Sequence, residues 1–103
     1  MVILGIDPGL AIVGYGVLEY EKSRFRVLDF GAIRTPAGMR TEDRLCKIHR
    51  GMNELIDRYR PSEMAVEELF FVKNITTGIS VAEARGVILL AAREKGLNIG
   101  EYT

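Results

Sequence analysis

The sequence has little of three things. It has a single cysteine, Cys46, among 103 residues. One thiol can form neither an internal disulfide nor a cysteine-based zinc site, and it suits a reducing compartment. It has no excess of either charge, with 14 Lys and Arg against 14 Asp and Glu. The basic surplus that usually accompanies nucleic-acid binding is therefore missing. It also has no long apolar run: nothing approaches the roughly 20 residues of a membrane span. The N-terminus lacks the basic region, apolar stretch and small-residue cleavage site of a signal peptide. These absences point to a cytoplasmic protein with no membrane association.

What remains is the composition of a folded globular chain, 48% apolar and 27% charged. The length allows one domain at most. Arg24, Arg26, Arg34, Arg40, Arg44, Lys47 and Arg50 crowd the first half with few acids among them. They read as solvated surface charge.

The patterning predicts the order β-β-β-α-β-α-β. Val2 to Ile6 is a nearly continuous apolar run, suited to a strand buried on both faces. Pro8-Gly9 ends it with turn chemistry. Ile12 to Tyr20 and Arg24 to Ile33 read as an antiparallel pair around the polar break Glu21-Lys22-Ser23. Thr41 is the predicted N-cap of a helix carrying Leu45, Ile48, Met52, Leu55, Ile56 and Tyr59 at helical spacing, ending before Pro61. Met64 to Leu69 reads as a strand. Thr76 or Thr77 is the predicted cap of a second helix running to about Lys95, with Gly96 as its stop. Leu97 to Tyr102 begins a fifth strand. This is an α/β chain with a five-stranded mixed sheet and helices packed on it. A right-handed crossover places the fourth strand beside the first.

That placement gives Asp7 its interest. It ends the first strand, and Glu67-Glu68 ends the fourth. Strands lie about 4.8 Å apart, so carboxylates at two adjacent strand ends can share one cation. Mg²⁺, a hard ion with oxygen ligands, fits best. Strand alternation sends Glu67 and Glu68 to opposite faces, so at most one joins Asp7. Taken singly, each acid has a plainer reading: Asp7 as a turn residue, the glutamates as surface charge. Phe70 and Phe71 read as core or, since two adjacent Phe do not easily both face inward, as a base-stacking platform beside Lys73. On the second helix Ala82, Gly86 and Leu90 fall four apart. A mid-helix Gly costs about 1 kcal/mol against Ala. A close backbone neighbour would explain it, either this chain's own sheet or another helix. Cys46 reads as a partly buried small apolar residue, and His49 as solvated.

Three blocks stand in order along the chain: Ile3-Leu4-Gly5-Ile6-Asp7-Pro8-Gly9 with Gly14-Tyr15-Gly16-Val17; Ala65-Val66-Glu67-Glu68-Leu69-Phe70 with Lys73-Asn74; and Ala84-Arg85-Gly86-Val87 with the Ala-rich helix after it. Together they resemble RuvC, the bacterial Holliday-junction resolvase family. A lone G-I-D-x-G is shared with sugar kinases and actin-like ATPases, but these blocks keep RuvC order and spacing along the whole chain. The resemblance implies an RNase H-like fold and a homodimeric endonuclease dependent on Mg²⁺, with Mn²⁺ as an alternative. Each subunit would nick one strand of four-way junction DNA. Asp7 and Glu67 match the catalytic, metal-binding carboxylates. Phe70 matches an aromatic that stacks on an unpaired base, with Lys73 and Asn74 beside it. Ala82, Gly86 and Leu90 fall on the dimer helix. The family's RuvA and RuvB branch-migration proteins would be partners.

The family pattern adds two acids on a C-terminal helix, Asp-x-x-Asp or His-x-x-Asp. After Glu68 the only acids are Glu83, Glu94 and Glu101, and none has that spacing. The 103 residues are thus read as an RNase H-like domain truncated at its C-terminal end, binding Mg²⁺ weakly and unable to cleave alone. Two other classes share some of its features. An actin-like or sugar-kinase phosphate-binding half-domain usually has Thr or Ser soon after the Gly, where Leu10 and Ala11 stand here. An inert RNase H-like module for nucleic acid or partners would fit the missing acids. A related RuvC-like nuclease of ribosomal RNA processing fits less well, given Phe70, Lys73-Asn74 and the Ala84-Arg85-Gly86 block.

Overall fold

A computed structural model describes residues 1–9, 11–68 and 75–102. Its elements are β1 (Val2–Asp7), β2 (Ile12–Glu21), β3 (Arg24–Arg34), α1 (Thr41–Tyr59), β4 (Glu63–Glu67), α2 (Ile75–Glu94) and β5 (Asn98–Tyr102). They form the RNase H-like arrangement, a five-stranded sheet in the order β3-β2-β1-β4-β5. The first three strands make an antiparallel meander, and β4 and β5 add in parallel through helical crossovers.

The β2–β3 connection is a two-residue turn. Lys22 and Ser23 both take positive φ, 53° and 63°, the geometry that matches hairpin twist. A register shift between Val17 and Leu18 marks a bulge in the pairing with β3.

Both helices pack on one face of the sheet. Leu4, Ile6, Val13, Val17, Met64 and Val66 alternate inward from the strands. Ile48, Met52 and Ile56 meet them from α1, and Ala84, Ile88, Ala91 and Ala92 from α2. Burying a side chain of Leu, Ile or Met size contributes roughly 1.5–3 kcal/mol, so this layer dominates the stability. β1 is not buried on both faces, contrary to its apolar reading: Leu4 and Ile6 are buried, Ile3 and Gly5 only partly. No helix among the described residues covers the second face.

The helix boundaries also differ from the sequence reading. Arg40, not Thr41, is the N-cap of α1, and no side chain caps it. Glu42 and Asp43 in the first turn favour that end through the helix dipole instead. Arg60 closes the helix in the left-handed conformation, its N–H donating to the Ile56 carbonyl. Helix α2 begins at Ile75, so Thr76 and Thr77 lie inside it. Gly96 follows it at φ 78°, a stop that favours glycine. β4 starts at Glu63 and ends at Glu67; Leu69, its expected end, lies outside the described residues.

Candidate metal centre

The sheet register brings two carboxylates together. β1 and β4 pair in parallel with Ile6 opposite Val66. Asp7 and Glu67 are the next residues on each strand. Side chains alternate along a strand, and Ile6 and Val66 are buried under the helices. Asp7 and Glu67 therefore share the opposite, open face. Glu68 lies past the strand, where its N–H donates to the Tyr102 carbonyl.

The two side chains interact directly. A hydrogen bond with Asp7, and then the Asp7 charge, hold the Glu67 carboxyl above its ordinary value of 4.5. Like charges held this close favour the protonated form of one partner. A cation between them would remove that conflict. The donor set is all carboxylate oxygen, the chemistry that Mg²⁺ and Mn²⁺ take. The residues present thus fit the expected metal, with Asp7 and Glu67 as its holders. Among the described residues, no group of three or more His, Cys, Asp or Glu converges on one point.

A shallow cleft of about 400 Å³ on the open face is lined in part by Asp7. Gly5, Gly14 and Gly16 floor it, and Phe30 and Tyr102 stand at its sides. Gly14 pairs with Asp7 and Gly16 with Gly5, so the sheet beside the carboxylate carries no side chains to block approach. A larger cavity of about 520 Å³ lies elsewhere, between β3 and α1. It holds neither carboxylate.

The turn after Asp7 is fastened from a distance. Thr35, the one buried polar residue among those described, donates its N–H and its hydroxyl to the Ala11 carbonyl, at 3.0 and 3.3 Å. A Cβ at Gly9 would run into the Ile12 carbonyl, so the turn closes only with glycine there. The Asp-Pro-Gly sequence shows the turn, whereas Thr35, 24 residues from Ala11, carries no local signal of its part in it.

The other expected residues divide. Phe70, Lys73 and Asn74 lie outside the described residues. Ala82, Gly86 and Leu90 are all exposed on the outer side of α2. Ala84, Ala91 and Ala92 occupy its inner side. A Cβ on Gly86 would meet nothing within 4 Å. The chain's own sheet therefore does not account for this glycine. Ile79 extends the outer apolar stripe. A neighbouring hollow between Leu45, Cys46, Val87 and Leu90 continues it onto α1. Cys46 is exposed rather than partly buried. His49 is bound rather than merely solvated, with Nε2 3.0 Å from Glu94 and Nδ1 3.3 Å from Asn53.

Arg85 carries no individual signal in the sequence beyond its place in the Ala84-Arg85-Gly86 block. Its Nε donates to the Glu67 carbonyl at 3.2 Å and its Nη2 to Glu101 at 2.7 Å.

Comparison with known proteins places the chain in a family. The family model for crossover junction endodeoxyribonuclease RuvC matches residues 3–103. The RuvC of Halothermothrix orenii is 54% identical over all 103 residues, which span 62% of that protein. The RuvC of Moorella thermoacetica is 56% identical over the same span, again 62% of its length. The chain thus spans about three-fifths of the length of these curated relatives. Among solved structures, Thermus thermophilus RuvC in complex with Holliday junction substrate is 34% identical, with a TM-score of 0.91 over 99% of this chain and 65% of that one. The chain belongs to the RuvC family of crossover junction endodeoxyribonucleases.

Proposed function

We propose that these 103 residues supply the first half of a metal-dependent active site that nicks four-way junction DNA. The single observation that carries this is the β1–β4 register, which sets Asp7 beside Glu67 on the uncovered face. The relatives act at crossover junctions by name, and one is solved with that substrate. Asp7 and Glu67 would hold Mg²⁺, with Mn²⁺ as a substitute. In such a site a divalent cation supplies an activated water and stabilises the leaving oxygen of the phosphodiester.

The remaining work falls to the chain itself. Pro8-Gly9 turns the backbone away and leaves the Asp7 carboxylate at the open strand end. Gly5, Gly14 and Gly16 keep the sheet low enough for a phosphate backbone to approach. Phe70 serves as the base-stacking aromatic, and Lys73 and Asn74 as phosphate contacts, as the family pattern implies. The stripe of Ile79, Ala82, Gly86 and Leu90 packs on the same stripe of a second copy, making a homodimer with two active sites. Gly86 is the position where the two helix backbones approach.

With only two carboxylates converging among the described residues, residues 1–103 alone would bind Mg²⁺ weakly and would not cleave. The test is nicking of a four-way junction by a chain of the relatives' full length. D7N and E67Q should each reduce it by more than about a hundredfold, beyond the loss typical of an outer-shell partner. The 103-residue chain should show no turnover. Cleavage by purified 1–103 that D7N abolishes would contradict the half-site reading. Full-length cleavage untouched by D7N would contradict the site.

A further inference from the structure

We propose that Arg85 is a positioning residue that fixes the backbone of Glu67 and so aims its carboxylate at the cation. The inference rests on the reading of Asp7 and Glu67 as a metal site.

Glu67 needs such support because of where it stands. The β1–β4 register ends at Ile6–Val66, so Glu67 lies beyond the last β1 pair. On the other side its pairing with Tyr102 is the last of the β4–β5 register. Past Glu67 the described chain is tied onward by the Glu68 N–H donating to the Tyr102 carbonyl on the β5 side, and a shared cation tolerates little drift of a carboxylate placed at such an end.

The Arg85 guanidinium meets this need from below the sheet. α2 packs on the helix side, and Ala84 and Ile88 around Arg85 are buried there. Glu101 pairs with Val66, so its side chain falls on that same side. Arg85 uses two nitrogens at once: Nη2 on the Glu101 carboxylate and Nε on the Glu67 carbonyl. Its side chain is only 15% exposed, so the guanidinium is well shielded from competing water. A planar fork serves two acceptors in fixed geometry, which a lysine ammonium cannot reproduce. One side chain thus joins α2, β4 and β5 at the strand end that carries Glu67. The carboxylate points to one face of the sheet and its backbone is held from the other. Arg85 touches neither substrate nor cation in this role.

The test follows Mn²⁺ uptake by the chain, read from the electron paramagnetic resonance signal of free Mn²⁺, with the thermal midpoint measured on the same samples. D7N identifies the uptake that belongs to the site. R85Q should raise the half-saturating Mn²⁺ concentration about tenfold, the low end for loss of an outer-shell partner. R85K keeps the charge but lacks the rigid planar fork. It should recover part of the loss, ending about threefold above the unsubstituted chain. A merely structural role would lower the thermal midpoint and leave uptake by the folded chain unchanged. Uptake at the original concentration by both variants, with D7N abolishing it, would overturn the proposal and leave the metal site standing. If R85Q does not fold, R85K decides by the same criterion. Uptake unaffected by D7N would overturn the metal-site reading, and Arg85's part with it.

Discussion

The two faces of this sheet are built from alternate residues of the same strands, yet they have little else in common. Toward the helices, β1 and β4 present Leu4, Ile6, Met64 and Val66, all but inaccessible to water. Toward the open side the same strands present Gly5, Asp7, Ala65 and Glu67. β3 adds Phe30 there, paired with Gly16 and 78% exposed. One face lowers the free energy of the fold. The other holds two carboxyl groups in contact, which raises it whenever both are ionised. A period of two lets a strand carry both instructions without either disturbing the other. Stability and chemistry should therefore separate cleanly in substitutions one residue apart.

The largest effect is expected on the helix side. Met52 is fully buried against the sheet. M52A should cost about 3 kcal/mol through lost transfer energy and a residual cavity, measured by urea unfolding, with Mn²⁺ uptake by the folded fraction unchanged. D7N on the open face should do the reverse. It should abolish specific Mn²⁺ uptake and leave the metal-free chain at neutral pH as stable as before or more so. A clear loss of stability in D7N would break the comparison.

The pH dependence sharpens it. Glu67 is held above its ordinary value of 4.5 by Asp7. A carboxyl raised in the folded state contributes stability that is complete below its unfolded value and lost as pH rises through its folded value. The metal-free chain should thus lose stability from this pair as pH climbs from about 4.5. D7N should flatten that slope, and Mn²⁺ should oppose it in the unsubstituted chain. Thermal midpoints across pH, with and without metal, would show this. The smallest effect belongs to the exposed aromatic. F30S should change stability by no more than about 0.5 kcal/mol in urea unfolding.

Much of this arrangement was legible in the sequence. Apolar runs and turn residues placed five strands and two helices in order, and crossover handedness put β4 beside β1. Topology and strand alternation bring Asp7 to one of Glu67 and Glu68; the family resemblance picks Glu67, and the β1–β4 register sets it on the Asp7 side. What was not legible depended on packing across distance. Thr35 pins the turn after Asp7 through Ala11, and nothing near Thr35 in sequence announces it. Arg85 reads as one more helix charge until α2, β4 and β5 meet around it. The start of α1 misled because Thr41 has cap chemistry, while the boundary falls one residue earlier, where acids in the first turn suffice. The continuous apolar look of Val2 to Ile6 suggested two covered faces, and the described residues cover only one.

The separation of the two faces is tested most directly by mapping Mn²⁺ on the chain through paramagnetic broadening of its amide resonances. Broadening should centre on Gly5 to Asp7, Gly14 and Val66 to Glu68, spare Ile48 to Ile56 beneath the sheet, and vanish in D7N. Broadening centred on any other acidic cluster, or unchanged in D7N, would contradict the account.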